Sequence, residues 1–313
     1  MQEDEECNCC SVSRESHFST LQSVNITPRE DDKFISKMAY INGGEFVMGT
    51  DSKEGFIQDG EGPTRNVNVN SFYIDRYAVT NEEFYTFIKE TGYKTEAEQY
   101  GFSFVFHLFL PNNYPGRIQQ VQGTSWWFAV ADSNWYQPEG IGSTITNRMD
   151  HPVIHVSWND AKVFSNWAGK RLPTEMEWEY AARGGLNQKK YPWGDDLTPN
   201  NEHHCNIWQG SFPEKNTKED GYVGTAPAVS YPPNGYGLYN TSGNVWEWCE
   251  ENFETNEINK NGSNNGDVSK VMRGGSYLCH HSYCNRYRVA ARSSNTSNSS
   301  TGNLGFRCAR DIK

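Results

Sequence analysis

The chain has 313 residues, and its 28 Lys and Arg against 39 Asp and Glu leave a formal charge of −11. A nucleic-acid-binding protein would carry a basic surface, so this class is disfavoured. No stretch approaches the roughly 18–20 consecutive apolar residues of a membrane helix, so we expect no membrane insertion. The 10 Trp, 17 Tyr and 16 Phe predict an aromatic core, and the 28 Gly and 13 Pro predict short elements joined by irregular loops.

Residues 1–33 have the composition of a tail. They hold an acidic run at positions 3–6 and a cluster formed by Cys7, Cys9 and Cys10. Their few apolar side chains cannot offset the roughly 1–2 kcal/mol per residue that ordering a backbone costs, so we predict a mobile tail that does not build the site. No basic stretch followed by an apolar stretch precedes it, which indicates either no export signal or a processed form.

From residue 34 to residue 313 the pattern predicts a single α+β domain with little regular secondary structure. Residues 38–49 read as two short strands around the turn at Gly43 and Gly44. Three helices are predicted to begin at capping boxes, in which an N-cap hydroxyl precedes an acidic residue by three positions: Thr80 with Glu83, Ser157 with Asp160, and Thr174 with Glu177. After residue 186 we expect loops and short strands, among them 271–277 and 304–308.

Two cysteines, Cys279 and Cys284, stand close together with His280 and His281 between them. A short loop can bring two such thiols together, so a local disulfide is one interpretation. A zinc site is a second, although structural zinc sites usually combine two separated ligand pairs. The third is a redox or soft-metal pair, because two thiolates with few hard ligands nearby suit Cu(I). The spacing alone does not choose among the three.

Six segments carry a resemblance to a known family. They read GGEFVMG at 43–49, DRYAVTN at 75–81, HPVIHVSWNDA at 151–161, GKRLPTE at 169–175, GNVWEW at 243–248 and NLGFRC at 303–308. In this order they resemble the formylglycine-generating enzymes, or sulfatase-modifying factors, whose fold is related to the C-type lectins. These six segments mark a wider superfamily, which includes members of other function, whereas the cysteine pair marks the catalytically competent branch.

The resemblance implies oxidation of the cysteine in Cys-x-Pro-x-Arg motifs of unfolded sulfatases to Cα-formylglycine. It implies that Cys279 and Cys284 hold Cu(I), that the substrate thiolate is a third ligand, that O₂ is the oxidant and that a thiol reductant supplies further electrons. It also implies that Ser276 lies beside the oxygen pocket and that Trp246 forms a wall of the substrate pocket. The alternatives are a turn serine after two glycines and a tryptophan that only packs the core.

Two structural calcium sites are also implied by the resemblance. The ligands of both sites are side-chain and backbone oxygens from irregular loops, which suit a hard cation that accepts six to eight oxygens. The first set is Asn206, Ile207, Asp220 and Tyr222, and the second is Asn240, Gly243, Val245 and Glu247. Ordinary turn residues are the alternative interpretation.

The sequence departs from the animal members of the family at their two long-range disulfides. The matching pairs here are Ser165 with Cys308 and Ala182 with Val289, so three of the four cysteines are missing. Cys205 and Cys249 are additional, and we expect buried thiols.

The cysteine cluster in the tail is similar to the extension of eukaryotic members. It favours the endoplasmic reticulum lumen, with thiol oxidoreductases or retention factors of that compartment as partners. We also mark three glycan acceptor motifs, at Asn25, Asn261 and Asn295.

Two competing functions remain. A non-catalytic binding module of the same fold, like the inactive paralogue, should lack the cysteine pair, and the pair is present here. An iron-dependent sulfoxide synthase needs a further helical domain with a histidine-rich iron motif, for which the first 33 residues are too few.

Overall fold

The computed structural model describes residues 12–14, 28, 36–255 and 268–312. The described chain contains four α-helices: α1 Asn81–Thr91, α2 Glu96–Tyr100, α3 Trp158–Trp167 and α4 Glu175–Ala182. Its strands are β1 Met38–Ile41, β2 Gly44–Met48, β3 Arg65–Val69, β4 Phe72–Asp75, β5 Phe102–Phe106, β6 Ile118–Gln120, β7 Trp127–Ala131, β8 Gly210–Ser211, β9 Lys215–Asn216, β10 Trp246–Asn252, β11 Ser269–Arg273, β12 Arg292–Thr296, β13 Leu304–Gly305 and β14 Ala309–Asp311. This confirms a single α+β domain with little regular secondary structure. No helix in the described parts is long and apolar enough to cross a membrane.

The three predicted capping boxes are present at the starts of α1, α3 and α4. In α1, Phe84 and Phe87 face the core and are fully buried, as their spacing predicts. Helix α2 was not predicted; it is five residues long and begins at a fourth capping box between Thr95 and Glu98. A helix this short has no apolar periodicity to detect.

The strands on either side of Gly43 form as predicted but belong to different sheets. Strand β1 pairs with β4 in a three-stranded sheet of order β1-β4-β14, whereas β2 pairs with β3 in a two-stranded sheet. Gly43 passes so close to β3 that a Cβ atom there would lie 2.3 Å from the carbonyl oxygen of Val69. The glycine therefore carries the chain from one sheet to the next and does not close a hairpin.

A four-stranded sheet of order β12-β11-β10-β13 supports the region of the cysteine pair. Strand β11 ends at Arg273, where Gly274 and Gly275 take positive φ angles of 94° and 72°. A Cβ atom on Gly275 would lie 2.9 Å from the carbonyl oxygen of Arg286. The predicted strand over 271–277 is thus correct only to residue 273, because the two glycines turn the chain into a loop that folds back on itself.

Aromatic side chains fill the core, as the composition predicts. Phe84 contacts Phe87 with a centroid distance of 5.3 Å, and Phe164 contacts Phe306 at the same distance. This cluster also contains Cys279 and Cys284. The cysteine pair is therefore built against the main core of the domain.

Buried charges tie helix α4 to the sheet. Arg273 on β11 pairs with Glu175 and Glu179 of α4, and Arg183 pairs with Glu179 as well. Although burial alone would raise it, the positive charges of Arg273 and Arg183 hold the pKa of Glu179 below its ordinary value. The glutamate stays ionised in the core, so these pairs fix the strand that leads into the cysteine loop.

Three residues of the predicted tail, Val12, Ser13 and Arg14, pack on the domain, so the expectation of a mobile tail is wrong for them. Val12 and Arg14 are each 3% exposed. The guanidinium of Arg14 donates hydrogen bonds to residues of the domain, so polar contacts hold this segment in place. The prediction considered only the shortage of apolar side chains, which gives no information about such polar contacts. The cysteine cluster at 7–10 and the acidic run lie outside the described residues.

Candidate active site

The Sγ atoms of Cys279 and Cys284 lie 2.9 Å apart, and both side chains are buried. A tight loop brings them together. The backbone N–H of Cys279 donates to the carbonyl of Ser276, and that of Cys284 donates to the carbonyl of His280, each at 2.9 Å. The loop thus presents two soft sulfur donors side by side in an apolar surrounding, which is the donor set that Cu(I) prefers.

Ser276 lies at the cysteine pair. Its backbone N–H donates to Cys279 Sγ at 3.4 Å. Its Oγ accepts hydrogen bonds from the Leu278 N–H at 3.3 Å and from Asn303 Nδ2 at 3.0 Å. Because a hydroxyl oxygen accepts two hydrogen bonds and donates one, the hydrogen of Ser276 is left for a third group.

Asn303 donates a hydrogen bond to Ser276 and so belongs to the site, although it was not predicted as a site residue. It opens the NLGFRC segment, which carried only the family resemblance, and is distant from the cysteine loop in sequence. Thr301 Oγ1 donates to Asn303 Oδ1 at 2.6 Å, so the amide nitrogen must face Ser276. The sequence of the motif does not indicate which side chain the asparagine will contact in the folded protein.

Trp246 and Tyr287 pack in the same buried cluster as the two cysteines. The indole Nε1 of Trp246 is buried and has no hydrogen-bond partner in the described chain. Burial raises the pKa of Tyr287, and the charge that either nearby thiol would carry as a thiolate raises it further, so this phenol stays protonated. Trp246 therefore shares a core cluster with the cysteines and has a donor available, and its role as a wall of the substrate pocket stays a prediction.

Two buried ion pairs clamp the chain that follows Cys284. Arg286 Nε contacts Asp59 at 2.6 Å, and Arg288 forms a bidentate pair with Glu61 at 2.6 and 2.8 Å. These acids stand 227 positions earlier in the chain, so no local pattern predicts the pairs. They hold the second half of the cysteine loop in place.

The first predicted calcium set is brought together. Asp220 accepts hydrogen bonds from the Ile207 and Tyr222 N–H groups, each at 3.0 Å. The Oδ1 atom of Asn206 is buried and has no hydrogen-bond partner in the described chain. Burial raises the pKa of Asp220, which a bound cation would counteract. The buried Asn206 oxygen without a partner in the described chain, in a set that also contains the Asp220 carboxylate, fits calcium.

The second set shows the same orphaned atom but a different charge balance. Asn240 Oδ1 is buried without a hydrogen-bond partner in the described chain. Glu247, however, forms a bidentate ion pair with Arg307 at 2.6 and 2.7 Å and accepts from Trp178 Nε1 at 2.7 Å. The arginine already neutralises this carboxylate, so the second set suits a dication less well than the first.

No three His, Cys, Asp or Glu side chains of the described residues form a metal cluster. The implied copper and calcium sites do not need one, because copper would take two thiolates and calcium mostly amide and carbonyl oxygens.

Cys205, Cys249 and Cys308 are buried free thiols, as predicted for the first two, and burial raises the pKa of each. Buried thiols with a raised pKa are poor nucleophiles, so these three cysteines are inert.

Among the predicted glycan acceptors, Asn25 and Asn261 lie outside the described residues. Asn295 is buried and donates from Nδ2 to the carbonyl of Val12, so it is not an accessible acceptor.

Comparison with known proteins agrees with this architecture. The family model described as "Sulfatase-modifying factor enzyme 1-like domain" matches residues 24–312. The formylglycine-generating enzyme of Thermomonospora curvata is 54% identical over 294 residues, which cover 91% of this chain and 97% of that protein. The enzyme of Bos taurus is 53% identical over 282 residues, 88% of this chain and 75% of that protein.

An inactive relative and a solved structure are also similar to this chain. The inactive C-alpha-formylglycine-generating enzyme 2 of Bos taurus is 45% identical over 87% of both chains. The solved structure of PvdO from Pseudomonas aeruginosa matches with a TM-score of 0.61 and 25% identity, over 88% of this chain and 94% of that chain. The chain therefore belongs to the formylglycine-generating enzyme family of sulfatase-modifying factors.

Proposed function

We propose that the protein activates sulfatases by oxidising the cysteine of a Cys-x-Pro-x-Arg motif to Cα-formylglycine at Cys279 and Cys284. The relatives from Thermomonospora curvata and Bos taurus that are more than 50% identical to this chain are formylglycine-generating enzymes. The observation that carries the assignment to these residues is the 2.9 Å approach of the two buried sulfurs beside Ser276. An unfolded sulfatase chain would be the substrate, because the motif must enter the site as an extended segment.

Cu(I) would be held by the thiolates of Cys279 and Cys284. When bound, it would supply the one-electron chemistry that O₂ needs to react with a substrate thiol. The protein's contribution is to hold the two sulfurs in one place, exclude water with the aromatic cluster and orient the Ser276 hydroxyl. That hydroxyl has its hydrogen free for an oxygen or sulfur atom that enters the site, because both of its acceptor positions are filled.

The proposed reaction balances with a thiol reductant. The substrate methylene gives up two electrons as the thiol becomes a thioaldehyde, and two external thiols give two more as they form a disulfide. O₂ takes up the four electrons and becomes two water molecules. One water hydrolyses the thioaldehyde, which leaves the aldehyde and releases hydrogen sulfide.

Calcium would be structural at the set formed by Asn206, Ile207, Asp220 and Tyr222. It would give Asn206 Oδ1 the partner that this buried oxygen lacks. The set formed by Asn240, Gly243, Val245 and Glu247 is a second calcium site in this proposal. There, Arg307 would share the Glu247 carboxylate with the metal.

A non-catalytic role like that of the inactive relative is the competing function. It is disfavoured because a binding module does not require two adjacent buried thiols with an oriented serine hydroxyl beside them.

For the compartment we propose the endoplasmic reticulum lumen, with thiol oxidoreductases or retention factors as partners. The support is the cysteine cluster at 7–10 and the similarity to a mammalian enzyme.

The test incubates the full chain with a Cys-x-Pro-x-Arg peptide, Cu(I), O₂ and a small thiol, and follows the peptide by mass spectrometry. We expect the cysteine to lose its sulfur and gain an aldehyde oxygen. A matched peptide with Ala for Arg is the control for recognition of the motif. An unchanged cysteine peptide under these conditions, with folded protein, would overturn the proposed function.

A further inference from the structure

Two neighbouring histidines, His280 and His281, stand between the two cysteines and have no part in the proposed reaction. Their rings are in contact, with a centroid distance of 4.1 Å and an angle of 49° between the ring planes. We call these two residues the histidine pair. An inference about how copper reaches the neighbouring cysteines rests on the proposed function, because that function assigns the copper to them.

The histidine pair lies where the cysteine loop, residues 276–284, meets solvent. Every residue from Ser276 to Cys279 is buried, and so is Cys284. In the described structure, only residues 280–283 of this loop are exposed or partly exposed, and His281 is among the exposed ones. Within the loop, the imidazoles are therefore the metal-binding groups that an arriving copper ion can reach from water.

The histidine pair and the cysteine pair are two separate donor sets. An imidazole that could bind the same metal as both sulfurs would complete a group of three ligands, and the described residues form no such group. A zinc site that combines these cysteines and histidines around one metal, an alternative left open by the spacing, is therefore not formed in this loop. Each pair offers two ligands on its own, and Cu(I) accepts such low coordination numbers.

His280 is fixed to both halves of the cysteine loop. It follows Cys279 directly, and its carbonyl accepts hydrogen bonds from the backbone N–H groups of Tyr283 at 3.0 Å and Cys284 at 2.9 Å. Its Nδ1 lies 2.7 Å from Ser282 Oγ. A metal bound at Nε2 would leave the ring hydrogen on Nδ1, where it can donate to the serine, and metal-ligating histidines usually have such a support. The loop thus holds one imidazole in a defined place next to both sulfur-bearing residues.

The distance between the two rings suits a metal held by two imidazoles. Metal–nitrogen bonds of about 2.0–2.1 Å place two nitrogens on opposite sides of a metal roughly 4 Å apart. The ring centroids are 4.1 Å apart, so rotation of the exposed His281 side chain can bring two nitrogens to this separation. Imidazole suits copper, but the softer thiolate selects Cu(I) more strongly. Copper therefore passes from the histidines to the cysteines and not in the opposite direction.

We propose that the histidine pair is an entry site for Cu(I), which captures the ion from solution and passes it to Cys279 and Cys284. The transfer is a ligand exchange without electron transfer, so the ion stays Cu(I). Each bond from copper to an imidazole nitrogen is replaced by a bond to sulfur, and the two cysteine thiols release their protons to water. Because both sites stand on one loop, the second binding step is intramolecular and is faster than direct capture by the buried sulfurs.

The rate of copper uptake tests the proposal without turnover. Full-length protein with reduced cysteines and no copper is mixed anaerobically with the coloured Cu(I) complex of bicinchoninate, and stopped-flow absorbance follows the loss of colour. We expect His281→Ala to take up copper about tenfold more slowly than wild type, because the loop no longer concentrates the ion beside the cysteines. The amount of copper bound at the end should be unchanged, because the cysteine pair holds it.

The chain offers a matched control for this variant. His203 and His204 are the other adjacent histidines in the sequence, and a cysteine, Cys205, also stands next to them. His203→Ala should take up copper at the wild-type rate. A wild-type rate in His281→Ala would overturn the proposal.

A second measurement isolates the histidine pair from the cysteines. The double variant Cys279→Ser/Cys284→Ser lacks the sulfur ligands, so we expect it to bind Cu(I) more weakly and through nitrogen ligands in X-ray absorption spectra. Adding His281→Ala should abolish this binding, whereas adding His203→Ala should leave it in place. A double serine variant that binds no Cu(I), or that still binds it without His281, would overturn the proposal.

Failure of the entry site and failure of the proposed function give different results. If wild type converts the cysteine peptide but His281→Ala takes up copper at the wild-type rate, only the entry site fails. If wild type binds Cu(I) through nitrogen ligands alone and converts no peptide, the proposed function fails and the entry role fails with it.

Discussion

Asn303 Nδ2 donates a 3.0 Å hydrogen bond to Ser276 Oγ, and Thr301 Oγ1 donates at 2.6 Å to the other end of the same amide. The amide is held in one orientation by the threonine, so it can only donate to the serine. Together with the Leu278 N–H, it fills the acceptor positions of the hydroxyl. This arrangement aims the serine hydrogen into the site, and it makes Asn303 a positioning residue.

Asn303→Asp should therefore lower kcat by roughly 10²-fold with little change in KM, a loss of the size seen when one oriented donor is removed from an active site. The carboxylate would accept the serine hydrogen and turn it away from the site. Asn68→Asp, on an exposed position of β3, adds the same charge and is the control. A kcat equal to wild type, or a loss confined to KM, would show that the amide does not orient the serine.

The buried pair of Glu247 and Arg307 should dominate the stability of the sheet beneath the site. Both side chains are about 1% exposed or less, so in the presence of EGTA, with no calcium to share the Glu247 carboxylate, Arg307→Met leaves an uncompensated carboxylate in the core. We expect the free energy of unfolding in urea to fall by about 3–5 kcal/mol. The double variant Glu247→Gln with Arg307→Met should recover most of the loss.

The exposed pair of Lys189 and Asp195 offers the control for that experiment. Because both side chains are about half exposed and water screens the pair, Lys189→Met should change the free energy of unfolding far less than Arg307→Met. A loss from Arg307→Met as small as this surface loss would contradict the importance of the buried pair.

Calcium should stabilise the fold and take no part in the chemistry. A ligand bound only to the native state at a free concentration of 100 times its Kd adds about 2.7 kcal/mol, so EGTA should lower the melting temperature. Asn206→Ala should reduce this calcium-dependent shift, because it removes an oxygen that has no other partner in the described chain. If EGTA left the melting temperature unchanged and metal analysis found no calcium, both predicted calcium sets would be wrong.

Stability should depend on pH through Glu96. Burial, together with the nearby Asp160, raises the pKa of Glu96 to about 7 from its ordinary value of 4.5. The folded state keeps a proton that the unfolded state loses within this window, so the free energy of unfolding falls as the pH rises from about 4.5 to about 7. Glu96→Gln removes the pH-dependent contribution of this carboxyl to the free energy of unfolding, so the variant should gain stability relative to wild type as the pH rises. Parallel urea midpoints of the two proteins between about pH 5 and pH 8 would contradict the shift.

The sequence was most informative where the signal is local. The capping boxes at Thr80, Ser157 and Thr174 are short-range hydrogen-bond patterns, and all three open helices as predicted. The partner strands of β1 and of β2, which are β4 and β3, were not predictable in the same way. It depends on which distant strand approaches Gly43, and strand partners are chosen by tertiary packing.

The site follows the same division. Cys279, Cys284 and Ser276 stand within nine residues of each other, so a motif could name them before the structure brought them together. Asn303, Asp59 and Glu61 reach the loop from distant parts of the chain, and Arg14 docks through polar contacts that composition does not reveal. Such contacts are long-range, and a single sequence carries no signal for them.

The most direct test of the catalytic role of the cysteine pair is the rate of peptide conversion by Cys279→Ser and Cys284→Ser. The assay follows aldehyde formation on a Cys-x-Pro-x-Arg peptide in the presence of Cu(I), O₂ and a thiol, and Cys249→Ser, a buried free thiol outside the loop, is the matched control. We predict that each loop variant keeps the wild-type fold by circular dichroism but loses several orders of magnitude in rate, while Cys249→Ser retains close to the full rate. Undiminished conversion by either loop variant would contradict it.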